Sequence, residues 1–306
     1  MRLRDTLIDD AVGEAFAMPA ARLIVTAGDR HWLDAAVHAA TGYATSIIGC
    51  DCEAGLERRL NPSDTPDQRP GVALLFFARS ATRLRQAVRN RAGQAILTCP
   101  TTALYDGLPD AAERFTLGRW LGPFGDGYQH PATHAGRRGV SIPVMSGTFF
   151  AEAHAGQVDA VAGGTLILAG QNDAPLLDAA QRAIHAIADL PNVITPFPAG
   201  LCRAGSKVGA NQKSKIKNQK SPPATTNDPY CPTLRDHPGV ATRLPPGVNH
   251  AYEIVINALT LDALTAAMHH ALHAAAGPGA DWITTGSYGG KLGDIRLPLR
   301  QIAQSP

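Results

Sequence analysis

At 306 residues, the chain has room for one large domain or two of ordinary size, and 44% hydrophobic with 18% charged residues excludes compositional disorder. A net charge of +2 makes too weak a field for nucleic acid or a membrane surface to be the main partner. Apolar runs such as VALLFFA at 72–78 fall far below the roughly 18 residues of a spanning helix. The opening MRLRDTLIDDAVGEAF carries acids where a signal peptide needs an apolar centre, so a soluble cytoplasmic protein is expected.

In chain order, ARLIVTA (21–27) reads as a strand and RHWLDAAVHAATG (30–42) as a helix closed by its glycine. TSIIGC (45–50) and GVALLFFA (71–78) read as strands, SATRLRQAVRNRAG (80–93) as a helix ended by Gly93, and QAILTCP (94–100) as a strand. This order matches a split βαβ plan of ferredoxin-like type. The second half repeats it. A strand at AGGTLILAG (162–170) precedes an amphipathic helix over 174–190, with Leu177, Ala180, Ile184 and Ile187 near one face. AYEIVINAL (251–259) reads as a strand, 261–277 as a helix, and DWITTG (281–286) as the start of a closing strand. The expected fold class is α+β, with two ferredoxin-like α/β sandwich lobes at 1–144 and 145–306. The boundary falls where GRRGVSIPVMSG breaks both periodicities.

The five cysteines, Cys50, Cys52, Cys99, Cys202 and Cys231, are odd in number and lack a CxxC pair, so they read as unpaired thiols. His269, His270 and His273 share a helix, but no acidic or Cys partner is spaced to complete a metal site. Five of the six lysines, Lys207, Lys213, Lys215, Lys217 and Lys220, fall close together, and NQKS occurs at 211 and again at 218. An insert of foreign composition over about 210–222 is expected, either a solvated loop or a clamp for an anionic substrate tail.

Several blocks are dense in Gly, Asp, Asn and Tyr: ATGYATSIIGC (40–50), PDQRPGV (66–72), CPTTALYDGLP (99–109), PFGDGYQ (123–129), SKVG (206–209), TNDPYCPT (226–233), YEIVIN (252–257) and GSYGGKLG (286–293). Through these blocks, in this order and over essentially the whole length, the chain resembles the formylmethanofuran:tetrahydromethanopterin formyltransferases. Its bacterial relatives look like the formyltransferase subunit of a formyltransferase/hydrolase complex that serves one-carbon oxidation. The resemblance implies transfer of a formyl group between formylmethanofuran and N5 of tetrahydromethanopterin. It also implies two α+β lobes, no metal or permanently bound cofactor, and assembly as a homotetramer or with other subunits. Between SKVG and TND the family has a shorter connection, where this chain carries the Lys-rich run. A scaffolding subunit with little activity alone is the rival reading. A nucleotide-binding protein, suggested by the many glycines, is a third reading, and against it neither G-x-G-x-x-G between strand and helix nor a phosphate-loop motif occurs.

Acyl transfer between two amines needs a group that takes a proton from the attacking nitrogen and returns one to the leaving nitrogen. Strand alternation in YEIVIN puts Glu253, Val255 and Asn257 on one face and Tyr252, Ile254 and Ile256 on the other. The pattern alone leaves Glu253 as either an edge-strand residue on a solvated face or an enclosed carboxylate. The resemblance implies the second, because the family's catalytic carboxylate falls on Glu253. The substrate-binding candidates are Asp126, Tyr128 and Gln129 in GDGYQ, Lys207 in SKVG, and Asn227, Asp228 and Tyr230 in TNDPYCPT, with Asn257 and Lys291. Glycines around Asp126 and Lys291 permit close backbone approach, and a loop such as GGKLG can turn its N–H groups on an anion. Asp, Tyr and Gln offer directional hydrogen bonds to a pterin or an amide.

Overall fold

The computed structural model describes residues 1–204, 227–287, 289–290 and 292–305. Lys207, Lys291 and the Lys-rich run lie outside them. The chain begins β1 (Arg2–Leu3), β2 (Thr6–Ile8), β3 (Val12–Thr26), α1 (Arg30–Thr41), β4 (Glu53–Leu60), β5 (Gly71–Phe77), α2 (Ala81–Arg91) and β6 (Ala103–Asp106). It continues through β7 (Glu113–Thr116), α3 (Gly118–Leu121), β8 (His130–His134), β9 (Arg137–Val144) and β10 (Gly147–Glu152). The second half holds β11 (His154–Gly170), α4 (Asp173–Ile187), β12 (Val193–Ile194), β13 (His250–Ala258), α5 (Leu261–Ala275), β14 (Trp282–Thr284), β15 (Ile295–Pro298) and α6 (Leu299–Gln304).

Each half is a βαββαβ unit. In the first, hydrogen-bonded neighbours run β4, β5, β3, β6; in the second, β12, β13, β11, β14. Both are ferredoxin-like orders, and α1 with α2, and α4 with α5, cover one face of each. The long strands β3 and β11 join the units. β3 pairs with β11 through Phe16–Ala20 and with β5 from Ala20 to Thr26. β11 pairs with β3 through Val158–Ala162 and with β13 at Val161 and again from Gly164 onward. Gly163 takes φ +88° at the register shift between these stretches, a bulge that turns the strand from one lobe to the other.

The elements follow from local chemistry. Asp29 caps α1 by accepting from the Trp32 N–H, and Leu33, Ala36, Val37 and Ala40 recur at helical spacing on its buried face. All seven residues of β5 are buried. Val72, Leu74 and Phe76 face the helices, whereas Leu75 and Phe77 enter a separate cluster with Met18, Ala160 and Ile194 at the seam between lobes. A strand covered on both faces reads as one apolar run, not as an alternation. Phe149 and Ala151 of β10 also pack into the first lobe's core.

Two expected strands are not formed. Residues 45–50 make a turn, in which the Ser46 carbonyl accepts from the Gly49 and Cys50 N–H groups and its hydroxyl accepts from the Ile48 N–H. Residues 94–100 continue α2 through a π turn at Ala92–Ile96, and Thr102 closes it by donating to the Ile96 carbonyl. Gly93 does not stop the helix; it makes room for the Phe124 ring. The second strand of the first lobe is instead β4, whose Glu53 and Glu57 disguise it. Both carboxylates are buried and satisfied, Glu57 by Arg22 at 2.6 Å and by the Asn192 N–H, Glu53 by the Asn257 amide and the Ile47 N–H. No helix among the described residues is long and apolar enough to cross a membrane. On α5, His269 and His273 each hydrogen-bond a carbonyl of α6, Ile302 and Ala303 respectively, at 2.9 Å.

Candidate active site

β13 is flanked on one side by β11, with Ile167 opposite Glu253. On its other side, at this one position, lies Cys202. The Cys202 N–H donates to the Glu253 carbonyl at 2.8 Å and the Glu253 N–H to the Cys202 carbonyl at 3.0 Å. Ile254 and Ile256 point into the second lobe's core, as alternation requires. Glu253 turns the opposite way into a cleft of about 450 Å³, lined also by Arg203, Asn227, Tyr230, His250 and Cys231. It is 7% exposed. The Asn227 amide donates to its Oε2 at 3.0 Å. Burial raises the Glu253 carboxyl to about 7, against the lowering pull of Cys202 and Asn227. Both protonation states are therefore populated near neutrality, which is what a group that accepts and returns a proton needs.

A larger cavity of about 1070 Å³ lies in the first lobe beside Asp67, Arg69 and His134. Burial works to raise the Asp67 carboxyl, but hydrogen bonds from Thr26 and Arg69 outweigh it and hold the group below its ordinary range. That carboxylate stays ionised at neutral pH.

The other predicted residues divide. Asn227 and Tyr230 line the cleft. Asp228 is buried where a short 3-10 turn begins. The Tyr230 ring does not stand free for stacking: it packs near Trp282 at 6.3 Å between centroids, and its hydroxyl accepts from Arg243. Asn257 is fully buried and faces the first lobe. Its Nδ2 donates to Glu53, and its Oδ1 accepts from the Gly163 N–H at the β11 bulge. Asp126, Tyr128 and Gln129 lie just before β8, at the far end of the sheet from β13, and none lines the cleft. Asp126 takes φ +46°, Tyr128 is 79% exposed, and Gln129 accepts from the Gly127 N–H. The GGKLG loop does turn its N–H groups on an anion, but the anion is the protein's own. Glu14 of β3 accepts from Gly290 at 2.8 Å and Leu292 at 3.0 Å.

A family model for formylmethanofuran-tetrahydromethanopterin formyltransferase matches residues 1–144, and one for the proximal lobe of the same enzyme matches 147–302. The chain belongs to this formyltransferase family. It is 43% identical over 299 residues to the formylmethanofuran–tetrahydromethanopterin formyltransferase of Methylococcus capsulatus, covering 96% of this chain and 97% of that one. It is 40% identical to the Methanosarcina barkeri enzyme, covering 99% of this chain and all of that one. The solved M. barkeri formyltransferase superposes with a TM-score of 0.89 at 39% identity, covering 99% of this chain and 100% of that one. A chain of the formyltransferase/hydrolase complex of Methylorubrum extorquens, solved with methylofuran, superposes at 0.91 and 40% identity, covering 100% of this chain and 99% of that one.

Two contacts of this cleft are not legible in the sequence. Cys202 showed only as an unpaired thiol, because its bridge to β13 joins residues far apart in the chain. Asn227 read as a substrate-binding candidate, and its side chain is also a donor to Glu253. Neither contact leaves a local pattern.

Proposed function

We propose that this chain transfers a formyl group between formylmethanofuran and N5 of tetrahydromethanopterin, with Glu253 carrying the proton. The nitrogen lone pair of the acceptor attacks the formyl carbon, and the carbonyl π electrons move to oxygen, giving a tetrahedral intermediate. Glu253 takes the proton from N5 and delivers it to the donor nitrogen as the C–N bond to that nitrogen breaks. The observation that carries this reading is the buried carboxyl of Glu253, open to a cleft and poised near neutrality.

Asn227 orients Glu253 and Asp228 shapes the turn beside it, with the edge of Tyr230 walling the cleft for a substrate ring. Asn257 acts from behind, tying β13 to Glu53. Lys207 and Lys291 are proposed to meet anionic parts of the substrates. Asp126, Tyr128 and Gln129 are proposed to bind substrate from a second copy of the chain, because within one chain their loop is at the wrong end of the sheet. A homotetramer with lobes 1–144 and 145–306 accommodates this. Association with further subunits of a hydrolase complex in one-carbon oxidation is proposed from the solved relative that sits in such a complex.

A spectrophotometric assay with formylmethanofuran and tetrahydromethanopterin, run beside Glu253→Gln, tests the reading. Turnover by the parent and at least a hundredfold loss in the variant is expected. Near-normal turnover in the variant removes Glu253 from the chemistry. A parent silent alone and active only with other subunits favours the complex-dependent form.

A further inference from the structure

The 201–204 segment meets β13 at one residue pair. Cys202 and Glu253 exchange both backbone hydrogen bonds, 2.8 and 3.0 Å, in an isolated antiparallel bridge. Residues so paired present their side chains on the same face of the ladder. Thiol and carboxylate are therefore neighbours at the cleft, and both residues line it. The thiol is pushed up to about 12 by burial and by the Glu253 charge, so it keeps its proton at any working pH and acts only as a donor. Beyond Cys202, the titratable or charged groups at the cleft among the described residues are Arg203, Tyr230, Cys231, His250, Tyr252 and Asp173. Several of these are engaged elsewhere: Tyr230 with Arg243, Cys231 with the Asn227 carbonyl, Tyr252 with Asp173.

We propose that Cys202 is a positioning residue for Glu253, its backbone fixing the strand beside the carboxylate and its thiol serving as a weak second donor next to the Asn227 amide. This rests on the formyl-transfer reading above. The choice of sulfur has a physical reason. An S–H is a weak donor, so it orients the carboxylate while stabilising the ion little. A hydroxyl at the same place would stabilise the ion more and take the group away from neutrality; a methyl would leave it with one donor fewer and more basic. Cys202 thus acts through the strength of its hydrogen bond, not through nucleophilic or redox chemistry.

Cys202→Ser and Cys202→Ala provide the test, because they move Glu253 in opposite directions. Glu253 is titrated without substrates by infrared spectroscopy of its carboxyl band, assigned by its absence in Glu253→Gln. The pH–rate profile is measured in parallel. The titration is expected to move to lower pH in the serine variant and to higher pH in the alanine variant. The kcat at the parent's optimum should fall about three- to tenfold in each, with KM for both substrates little changed. Titrations of both variants that coincide with the parent overturn the proposal, as does a shift of both in the same direction. Should the alanine variant fail to fold, serine against parent decides. Opposed titration shifts in a protein that transfers no formyl group would sink the proposed reaction and leave the Cys202–Glu253 coupling standing.

Discussion

Replacing Glu253 by glutamine should stabilise the protein at alkaline pH while removing its activity. Burial lifts the Glu253 carboxyl from its ordinary 4.5 to about 7 in the folded chain. Between those values the folded protein holds a proton that the unfolded chain has lost, so stability falls as pH rises. At about 1.36 kcal/mol per pH unit the full penalty comes to about 3 kcal/mol above pH 7, and it vanishes below pH 4.5. The side chain is almost wholly buried, so solvent screening removes little of this. Glutamine keeps an oxygen to accept from Asn227 and carries no charge, so it escapes the penalty. Urea unfolding of parent and variant at pH 5 and pH 8 measures the effect. The variant should lie close to the parent at pH 5 and exceed it by 2–3 kcal/mol, to order of magnitude, at pH 8. Burial raises Glu53 and Glu152 as well, and they add slope to both proteins, so the difference between the two isolates Glu253. A difference of equal size at both pH values would refute the reasoning.

Three further outcomes are expected. Asn257→Ala removes the donor to Glu53 and the acceptor of the Gly163 N–H, and should cost about 2–4 kcal/mol in urea unfolding; less than about 0.5 kcal/mol would mean that water replaces both bonds. Arg22→Met strips a buried carboxylate, Glu57, of its ion pair at 2.6 Å, and should cost about 3–5 kcal/mol at pH 8. A loss below about 1 kcal/mol would mean that other groups take over the contacts of Arg22 with Glu57 and Asn192. Gly279→Ala drives a methyl into the Pro175 carbonyl at a site with φ +95°, and should abolish soluble expression, whereas Gly127→Ala at φ +92° with open space around it should cost only about 1–2 kcal/mol of backbone strain. Equal yields of the two variants would contradict the packing argument.

What the chain alone determined was local or periodic. Helices α1, α4 and α5 were legible because apolar residues recur at helical spacing, and Asp29 and Thr260 cap the first and last of them. The ferredoxin-like plan was legible because element order repeats, and Glu253 was conspicuous as a carboxylate set in an apolar strand. The tertiary structure decided what depended on partners distant in sequence. Residues 45–50 and 94–100 have the apolar content of strands, yet N–H groups bonded to Ser46 fold the first into a turn, and the Thr102 hydroxyl with the space Gly93 leaves for Phe124 holds the second in a helical turn. β4 carries two glutamates that a strand cannot bury unaided, and partners from elsewhere in the chain, Arg22 and Asn192 for Glu57 and Asn257 and Ile47 for Glu53, make it one. The same holds at the cleft. YEIVIN supplies the carboxylate, but its proton affinity comes from the surface that buries it and from Cys202 and Asn227, some fifty and twenty-six residues away in the chain. Hydrophobic periodicity is written in neighbours along the sequence; desolvation and hydrogen bonding are properties of neighbours in space.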